Sequence, residues 1–154
     1  MIEVNNVSKY FGEKHVLKNI TTHFDEGKVN LIIGRSGSGK TVMMKCLVGL
    51  YSPDDGEILY NGRVFRKLSE EEKRVLRADM GMVFQGSALF DSMTIQENVM
   101  FPLDMLKDME YGEKLERVNF CLKRVDLENT NKLYPAELSG GMKKRAAIAR
   151  AIAC

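Results

Sequence analysis

The sequence has little of what marks a secreted, membrane-spanning or zinc-binding protein. Its three cysteines lie far apart with no C-x-x-C pair, and their odd number suits neither a disulfide framework nor a zinc site. No apolar run approaches about eighteen residues, and the opening MIEVNNVSKY has neither the basic nor the apolar part of a signal peptide. We therefore expect a reducing, cytosolic compartment and a chain that does not itself cross a membrane, although it could dock on a protein that does. The cysteines are Cys46, Cys121 and Cys154.

The sequence also lacks an excess of charge of one sign. Lysine and arginine number 23 and aspartate and glutamate 21, so the formal net charge is only +2. A charge so close to balance argues against nucleic acid as a partner. The 154 residues, 44% of them hydrophobic, suffice for one globular domain with a core but not for two. We expect one domain or part of one.

The first half of the sequence predicts strands. Residues 2–24 alternate partly between apolar and polar, with turns at Gly12 and at residues 25–27. VNLIIG, residues 29–34, is almost continuously apolar, as is typical of a strand buried on both faces of a largely parallel sheet. MGMVFQ, residues 80–85, predicts another buried strand, and Asn61-Gly62 predicts a hairpin.

The second half predicts helices, and one helix is expected earlier, where apolar residues recur at helical spacing from Met43 to Leu50. Ser69 with Glu72, and Thr94 with Glu97, have the spacing of capping boxes at helix starts. An apolar face made by Leu115, Val118, Leu122 and Val125 predicts a helix near residues 112–125, and Pro102 and Pro135 are expected to interrupt the helical part.

GRSGSGKT, residues 34–41, lies between VNLIIG and the first predicted helix and fits G-x-x-x-x-G-K-[ST], the P-loop pattern. Glycines let successive backbone N–H groups turn toward a phosphate, and the start of the helix adds its positive end. Lys40 is expected to reach the β- and γ-phosphates of ATP, and the Thr41 hydroxyl to ligate Mg²⁺. The alternative is a flexible loop with a solvated lysine. The ATP-binding residues predicted here are Gly34, Arg35, Ser36, Gly37, Ser38, Gly39, Lys40 and Thr41.

A second motif, LSGGM at residues 138–142 followed by KKRAAIARAIA, closely resembles the LSGGQ signature and following helix of ABC-type ATPases. Ser139 is a good N-cap, and glycines after it let bare N–H groups approach an anion. Met142 stands where the family usually has glutamine. The alternative is a capped helix with a solvated basic face. The predicted signature residues are Leu138, Ser139, Gly140, Gly141 and Met142.

Two further residues match positions of this family. Gln85 ends MGMVFQ and resembles the Q-loop glutamine, which implies a place near Mg²⁺ and the attacking water. With Lys40 it is an expected catalytic residue, and with Thr41 an expected metal ligand. Phe11 matches the aromatic residue that stacks on adenine, with Tyr10 as the competitor, and either residue could instead belong to the core.

Both histidines, His15 and His23, precede the P-loop, and neither resembles the switch histidine of the family. We expect them to be partly exposed strand or turn residues.

The resemblance covers essentially the whole chain and implies an α/β fold, the P-loop NTPase fold of ABC-type nucleotide-binding domains. It implies an antiparallel β subdomain with the P-loop core over residues 1–90 and an α-helical subdomain with the signature over residues 91–154. It also implies a transporter subunit that takes ATP and Mg²⁺ and pairs head to tail with a second ATP-binding subunit. Each ATP would then lie between the P-loop of one subunit and the signature of the other. Transmembrane permease subunits would hold the pair at the cytoplasmic face of the inner membrane.

A narrower resemblance concerns the cargo. FQGSALFDSMTIQENVMFPL, residues 84–103, and the methionine of LSGGM look like the ATPases of Mla-type systems, which implies phospholipid transport. The alternatives are another cargo, an ABC protein acting on DNA or ribosomes, and a non-enzymatic nucleotide-binding module. The long insertions or basic arm expected of a DNA or ribosome protein are absent.

Beyond the signature, the family pattern continues with an aspartate that organises Mg²⁺, a glutamate that polarises water and a switch histidine. None of them follows residue 142 in this sequence. We expect an incomplete gene product, or else a natural short nucleotide sensor. Because a missing general base forfeits about 10² to 10⁴ in rate, residues 1–154 alone are expected to bind ATP without hydrolysing it usefully. Apolar strand edges are expected to stay open to aggregation.

Overall fold

A computed structural model describes all 154 residues, which form two compact units, Met1–Lys73 and Arg74–Cys154. The boundary between the compact units follows Lys73. The division at residue 90 into a β subdomain and a helical subdomain stays a prediction. The first unit holds the β-sheet and the P-loop, and the second holds the signature motif. None of the helices combines the length and the apolar character needed to cross a membrane.

The first unit contains one antiparallel sheet of four strands, β1 (Ile2–Phe11), β2 (Lys14–Phe24), β3 (Asp55–Tyr60) and β4 (Arg63–Val64), in the order β2-β1-β3-β4. The central strand β1 pairs along one edge with β2, where Ile2 faces Phe24, and along the other with β3, where Ile2 faces Tyr60. Val4 and Val7 of β1 are both fully buried in the core of the unit, and the pairing with β2 shifts register between them, where Asn6 has a φ of +51°.

Two tight turns join these strands as the sequence predicted. Gly12 between β1 and β2 has φ +58°, and the Asn61-Gly62 pair between β3 and β4 has φ values of +49° and +77°. Left-handed conformations at both central residues are those of the hairpin turn that the Asn-Gly pair favours. The N-terminal strands and the hairpin are therefore confirmed.

Helix α1 (Lys40–Leu47) follows the P-loop, as predicted from its apolar spacing. Met43, Cys46 and Leu47 are buried, and burial raises the pKa of the Cys46 thiol. Leu50 was expected on the same face, but the helix ends before it and its side chain is more than half exposed.

The buried strand predicted at VNLIIG does not form. Residues 28–35 have no strand pairing, and Val29, Leu31 and Ile33 are 98%, 77% and 82% exposed. A strand buried on both faces needs partner strands for its backbone groups and packed layers over its side chains. The four strands of the sheet pair only with one another, so this segment has neither.

The second unit is helical and is built around α3 (Ile95–Leu106), α4 (Tyr111–Arg124) and α5 (Gly140–Ala151). Helix α2 (Glu70–Ala78) spans the boundary between the units, and a short 3-10 turn (Pro135–Glu137) precedes α5. The three long helices pack on one another around a fully buried core. The helix predicted near residues 112–125 is confirmed, with its apolar face in this core, which includes Ile95, Val99, Leu103, Val118, Cys121, Leu122, Ala146 and Ala149.

Both predicted capping boxes are present. The Thr94 hydroxyl accepts a hydrogen bond from the N–H of Glu97 at 3.3 Å, and the Glu97 carboxylate accepts from the N–H of Thr94 at 2.7 Å. Ser69 and Glu72 make the same reciprocal pair at the start of α2. The hydrogen bond from the Thr94 hydroxyl holds the pKa of Glu97 below its ordinary value. The stability that the ionised Glu97 carboxylate contributes is therefore lost as the pH falls through that lowered pKa.

Two other expectations in this unit are wrong. MGMVFQ forms no strand, for the same reason as VNLIIG, and Val83 and Phe84 are about half exposed. Its Gly81 instead lies so close to the carbonyl oxygen of Ala151 that no side chain would fit between them. Pro102 does not end a helix but lies inside α3.

Asn98 of α3 is fully buried and ties the preceding loop to the helix. Its side-chain oxygen accepts from the N–H of Phe90 at 2.7 Å. Its side-chain amide donates to the carbonyls of Phe90, Met93 and Thr94 at 3.0 to 3.1 Å. Every polar atom of the buried side chain thus has a partner in the loop that follows Gln85 or at the helix start.

We predict that Asn98→Ala lowers the free energy of unfolding by about 1 to 3 kcal/mol, because it removes the partner of the part-buried Phe90 N–H and of three loop carbonyls. Urea denaturation followed by circular dichroism measures the loss. Asn119→Ala is the matched control, since Asn119 is exposed on α4 and its side chain accepts only a solvent-exposed hydrogen bond, from Asn131 at 2.8 Å, so the change in stability should be no more than about 0.5 kcal/mol. Equal effects of the two substitutions would contradict the anchoring role of Asn98.

Candidate functional site

The P-loop closes around the amino group of its own lysine. Lys40 Nζ donates to the carbonyl oxygens of Gly34 and Arg35, both at 2.8 Å. Positive φ values at Gly37 (+77°) and Gly39 (+95°) turn the backbone between them, and glycine adopts such values without the steric cost of a side chain. The ammonium group therefore lies within the loop that a phosphate would occupy.

The start of α1 offers backbone donors to an anion. The first hydrogen bond of the helix runs from Met43 N–H to Gly39 O at 2.8 Å, so the amides of Lys40, Thr41 and Val42 have no partner within the helix. The first turn has no acidic residue, and Thr41 is exposed. Unpaired N–H groups, the helix dipole and one ammonium group together fit a bound phosphate chain.

Strand β2 supports the loop at Gly39. A Cβ built on Gly39 would lie 3.0 Å from Leu17 Cδ2 and 3.1 Å from the Val16 carbonyl oxygen. Glycine is needed at this position both for its backbone conformation and for this close approach.

The two aromatic residues at the end of β1 have different surroundings. Tyr10 stacks on His15 of β2, with ring centroids 4.1 Å apart and an interplanar angle of 20°. Phe11 is 44% exposed and meets the edge of Tyr51, with centroids 5.5 Å apart and an interplanar angle of 67°. One face of the Tyr10 ring is thus covered by His15, which favours Phe11 as the ring open to a base.

Asp54 fixes the backbone beside these rings. Its carboxylate accepts hydrogen bonds from the N–H of Tyr10 at 2.6 Å and from Lys9 Nζ at 2.9 Å. The Tyr10 N–H first, and the Lys9 ammonium second, hold the pKa of Asp54 below its ordinary value. No sequence motif indicates this contact, because the two segments are far apart along the chain.

The signature motif begins α5 as its spacing predicted. Ser139 is the N-cap, and its hydroxyl accepts a hydrogen bond from the N–H of Met142 at 3.3 Å. Leu138 is buried beneath the motif, while Gly140 and Gly141 face open space in which an added Cβ would meet nothing within 4 Å. A bare, dipole-positive helix start is thus presented at the surface of the second unit.

Two arginines of α5, which no motif indicates, bind this helix to neighbouring loops. Arg145 donates to the carbonyl oxygens of Val125 and Asp126 at 3.0 and 2.7 Å. Arg150 donates to those of Ser87 and Ala88 at 3.1 and 2.7 Å. Their positions in the basic run do not predict these contacts, because the basic face of a helix is more often solvated.

Gln85 lies exposed in a turn of the second unit, whereas the P-loop and Phe11 belong to the first. Its role beside Mg²⁺ and water stays a prediction. Of the two histidines, His15 is half buried under Tyr10 and His23 is exposed on β2.

The family model described as "ABC transporter" matches residues 17–154. The chain belongs to the ABC transporter family. The matched residues include both glycine-rich motifs.

Several curated relatives are similar over 99% of the chain. The methionine import ATP-binding protein MetN of Clostridium tetani is 48% identical over 153 residues. The protein TRIGALACTOSYLDIACYLGLYCEROL 3, chloroplastic, of Arabidopsis thaliana is 42% identical, and the sulfate/thiosulfate import ATP-binding protein CysA of a Synechocystis strain 39%. The chain spans 48%, 44% and 41% of their respective lengths. The resemblance to Mla-type ATPases is thus not supported, because these relatives include proteins named for methionine import and for sulfate/thiosulfate import.

Solved structures confirm the ABC-type nucleotide-binding fold. The dimeric structure of MJ0796, a bacterial ABC transporter cassette, is 37% identical with a TM-score of 0.88, and this chain covers 69% of it. The structure of cbiO1 from Clostridium perfringens, part of the ABC transporter complex cbiONQ, is 28% identical with a TM-score of 0.85, and the chain covers 61% of it. Each match covers 99% of the present chain.

We predict that Gly39→Ala destabilises the first unit more than Gly12→Ala does. Both glycines have positive φ, which costs alanine about 1 to 2 kcal/mol, but only Gly39 would also force its Cβ against β2. The free energies of unfolding of the two variants, measured in urea, give the comparison. Equal losses would show that the contact with Val16 and Leu17 relaxes without cost.

Proposed function

We propose that this chain is the ATP-binding portion of an ABC transporter ATPase, which couples ATP binding and hydrolysis to transport. The observation that carries the proposal is the position of the Lys40 ammonium, held inside a glycine loop by the Gly34 and Arg35 carbonyls beside unpaired helix amides. An exposed, solvated lysine, the alternative that the sequence left open, would not make these contacts.

The residues of the candidate site have distinct roles in ATP binding. Lys40 and the loop amides neutralise the phosphate oxygens, Phe11 stacks on adenine, and Gln85 orients water. Thr41 and Gln85 would hold Mg²⁺, which supplies positive charge between the β- and γ-phosphates. The exposure of the Thr41 hydroxyl on the first turn of α1, where no acidic side chain competes, fits this use.

We predict that Lys40→Ala weakens ATP binding roughly ten- to a hundredfold, because a charged hydrogen bond is worth about 1.5 to 3 kcal/mol. Calorimetric titration with ATP and Mg²⁺ measures the change. Lys18→Ala is the matched control, since Lys18 is exposed on β2 of the same unit, and it should bind ATP like the parent chain. Unchanged affinity in Lys40→Ala would overturn the P-loop assignment.

We further propose that the chain acts in a head-to-tail pair with a second ATP-binding subunit, docked on permease subunits at the cytoplasmic face of the inner membrane. Support comes from the exposed signature, with open space at Gly140 and Gly141. The solved relative MJ0796 is described as dimeric. In the pair, Ser139 and Gly141 would serve the nucleotide held by the other subunit.

Mixing two variants of the complete subunit tests the pair. Lys40→Ala spoils the P-loop of one subunit, and Ser139→Arg obstructs the signature of the other. We expect neither variant to form an ATP-driven dimer alone, whereas their mixture regains one intact composite site. Size-exclusion chromatography with ATP measures the dimer. A mixture that pairs no better than either variant would contradict the shared site.

Methionine is the cargo that we propose. Relatives named as methionine importers reach 48% identity, whereas the Mla-type resemblance is confined to two short stretches. The phospholipid cargo that those stretches suggested has no support from the importers among the relatives. Uptake of labelled methionine by cells with and without the gene, with sulfate uptake as the comparison, tests this choice.

A further inference from the structure

We propose that Tyr51 is a positioning residue for the base of the bound nucleotide, acting through Phe11. The inference rests on the proposed function, because it takes Phe11 as the ring on which the base stacks. Nothing in the sequence motifs pointed to Tyr51, which lies beyond the end of α1 in a segment between helix and strand.

The contact between the two rings fixes the orientation of Phe11. The edge-to-face geometry, with centroids 5.5 Å apart at 67°, is one of the two arrangements that aromatic pairs favour. Phe11 is the last residue of β1 and remains 44% exposed, so strand pairing alone does not restrain its ring. The edge contact restrains it and leaves ring surface available to a base.

Two ammonium groups complete the arrangement. Lys9 Nζ lies 5.6 Å from the centroid of Phe11, and Lys45 Nζ lies 5.1 Å from that of Tyr51. Both distances are within the range of cation–π attraction. Asp54 holds the Lys9 ammonium in this position at 2.9 Å. Each ring is therefore held by a cation as well as by the other ring.

Tyr51 is attached to the helix that carries the phosphate-binding loop. Its N–H and that of Leu50 both donate to the Lys45 carbonyl oxygen, at 3.1 and 2.9 Å. Lys45 lies in the last turn of α1, and Lys40 is the first residue of the same helix. Tyr51, beside the ring that stacks on the base, and Lys40, which contacts the phosphates, are thus attached to opposite ends of one short helix. This link sets the distance between the two parts of a nucleotide that the chain can hold together.

Comparing ATP with inorganic tripolyphosphate separates the base from the phosphates. We expect Tyr51→Leu, which keeps an apolar side chain but removes the ring, to weaken ATP binding about two- to tenfold. Its affinity for tripolyphosphate should be unchanged. Tyr51→Phe, which keeps the ring, should bind both ligands like the parent chain. In a Phe11→Ala background, Tyr51→Leu should cause no further loss of ATP affinity.

Several outcomes of the same titrations would contradict the role of Tyr51. Equal weakening of both ligands by Tyr51→Leu, or further loss of ATP affinity in the Phe11→Ala background, would show a general structural role and overturn the inference. ATP affinity unaffected by Phe11→Ala would also overturn it, while leaving ATP binding by the P-loop intact. A parent chain that binds neither ligand would overturn the proposed function as well.

Discussion

Every polar group of the backbone needs a hydrogen-bond partner, and this constraint governs both units of the protein. Where partners are close along the chain, the local sequence supplies them: Thr94 and Ser139 cap the helices that follow them. Where partners are distant along the chain, a side chain of another segment supplies them, as Asp54 does for the Tyr10 N–H. VNLIIG has no strand partner for its backbone, and its apolar side chains at Val29, Leu31 and Ile33 remain in solvent.

The candidate site uses backbone groups that the fold leaves unpaired. The amides at the start of α1 and the glycines at the start of α5 belong to helix termini, where intrahelical bonding cannot reach. Elsewhere in the chain, side chains occupy such positions, as Glu97 does at the start of α3. No side chain caps α1, and at α5 the Ser139 hydroxyl accepts only from the Met142 N–H, so the N–H groups of Gly140 and Gly141 have no side-chain cap.

Local features of the fold could be read from the sequence, and features that depend on distant segments could not. Capping boxes, the Asn61-Gly62 turn and the apolar face of α4 depend on residues a few positions apart, and all are confirmed. The buried strands failed because apolar character shows only that a segment favours burial, not that partner strands surround it. The loop fold around Lys40 was predictable from spacing, whereas the Phe11–Tyr51 contact joins segments that no motif connects.

The two hydrogen bonds of the Arg150 guanidinium group couple the signature helix to the conformation of the loop that it contacts. Ser87 and Ala88, whose carbonyls it holds, both adopt left-handed backbone conformations, with φ values of +65° and +50°. Such conformations cost non-glycine residues about 1 to 2 kcal/mol each, so the loop stores energy that the guanidinium group helps to retain. Helix α5 therefore restrains a strained turn. A shift of the helix large enough to break both hydrogen bonds of Arg150 would remove this restraint from the turn next to Gln85.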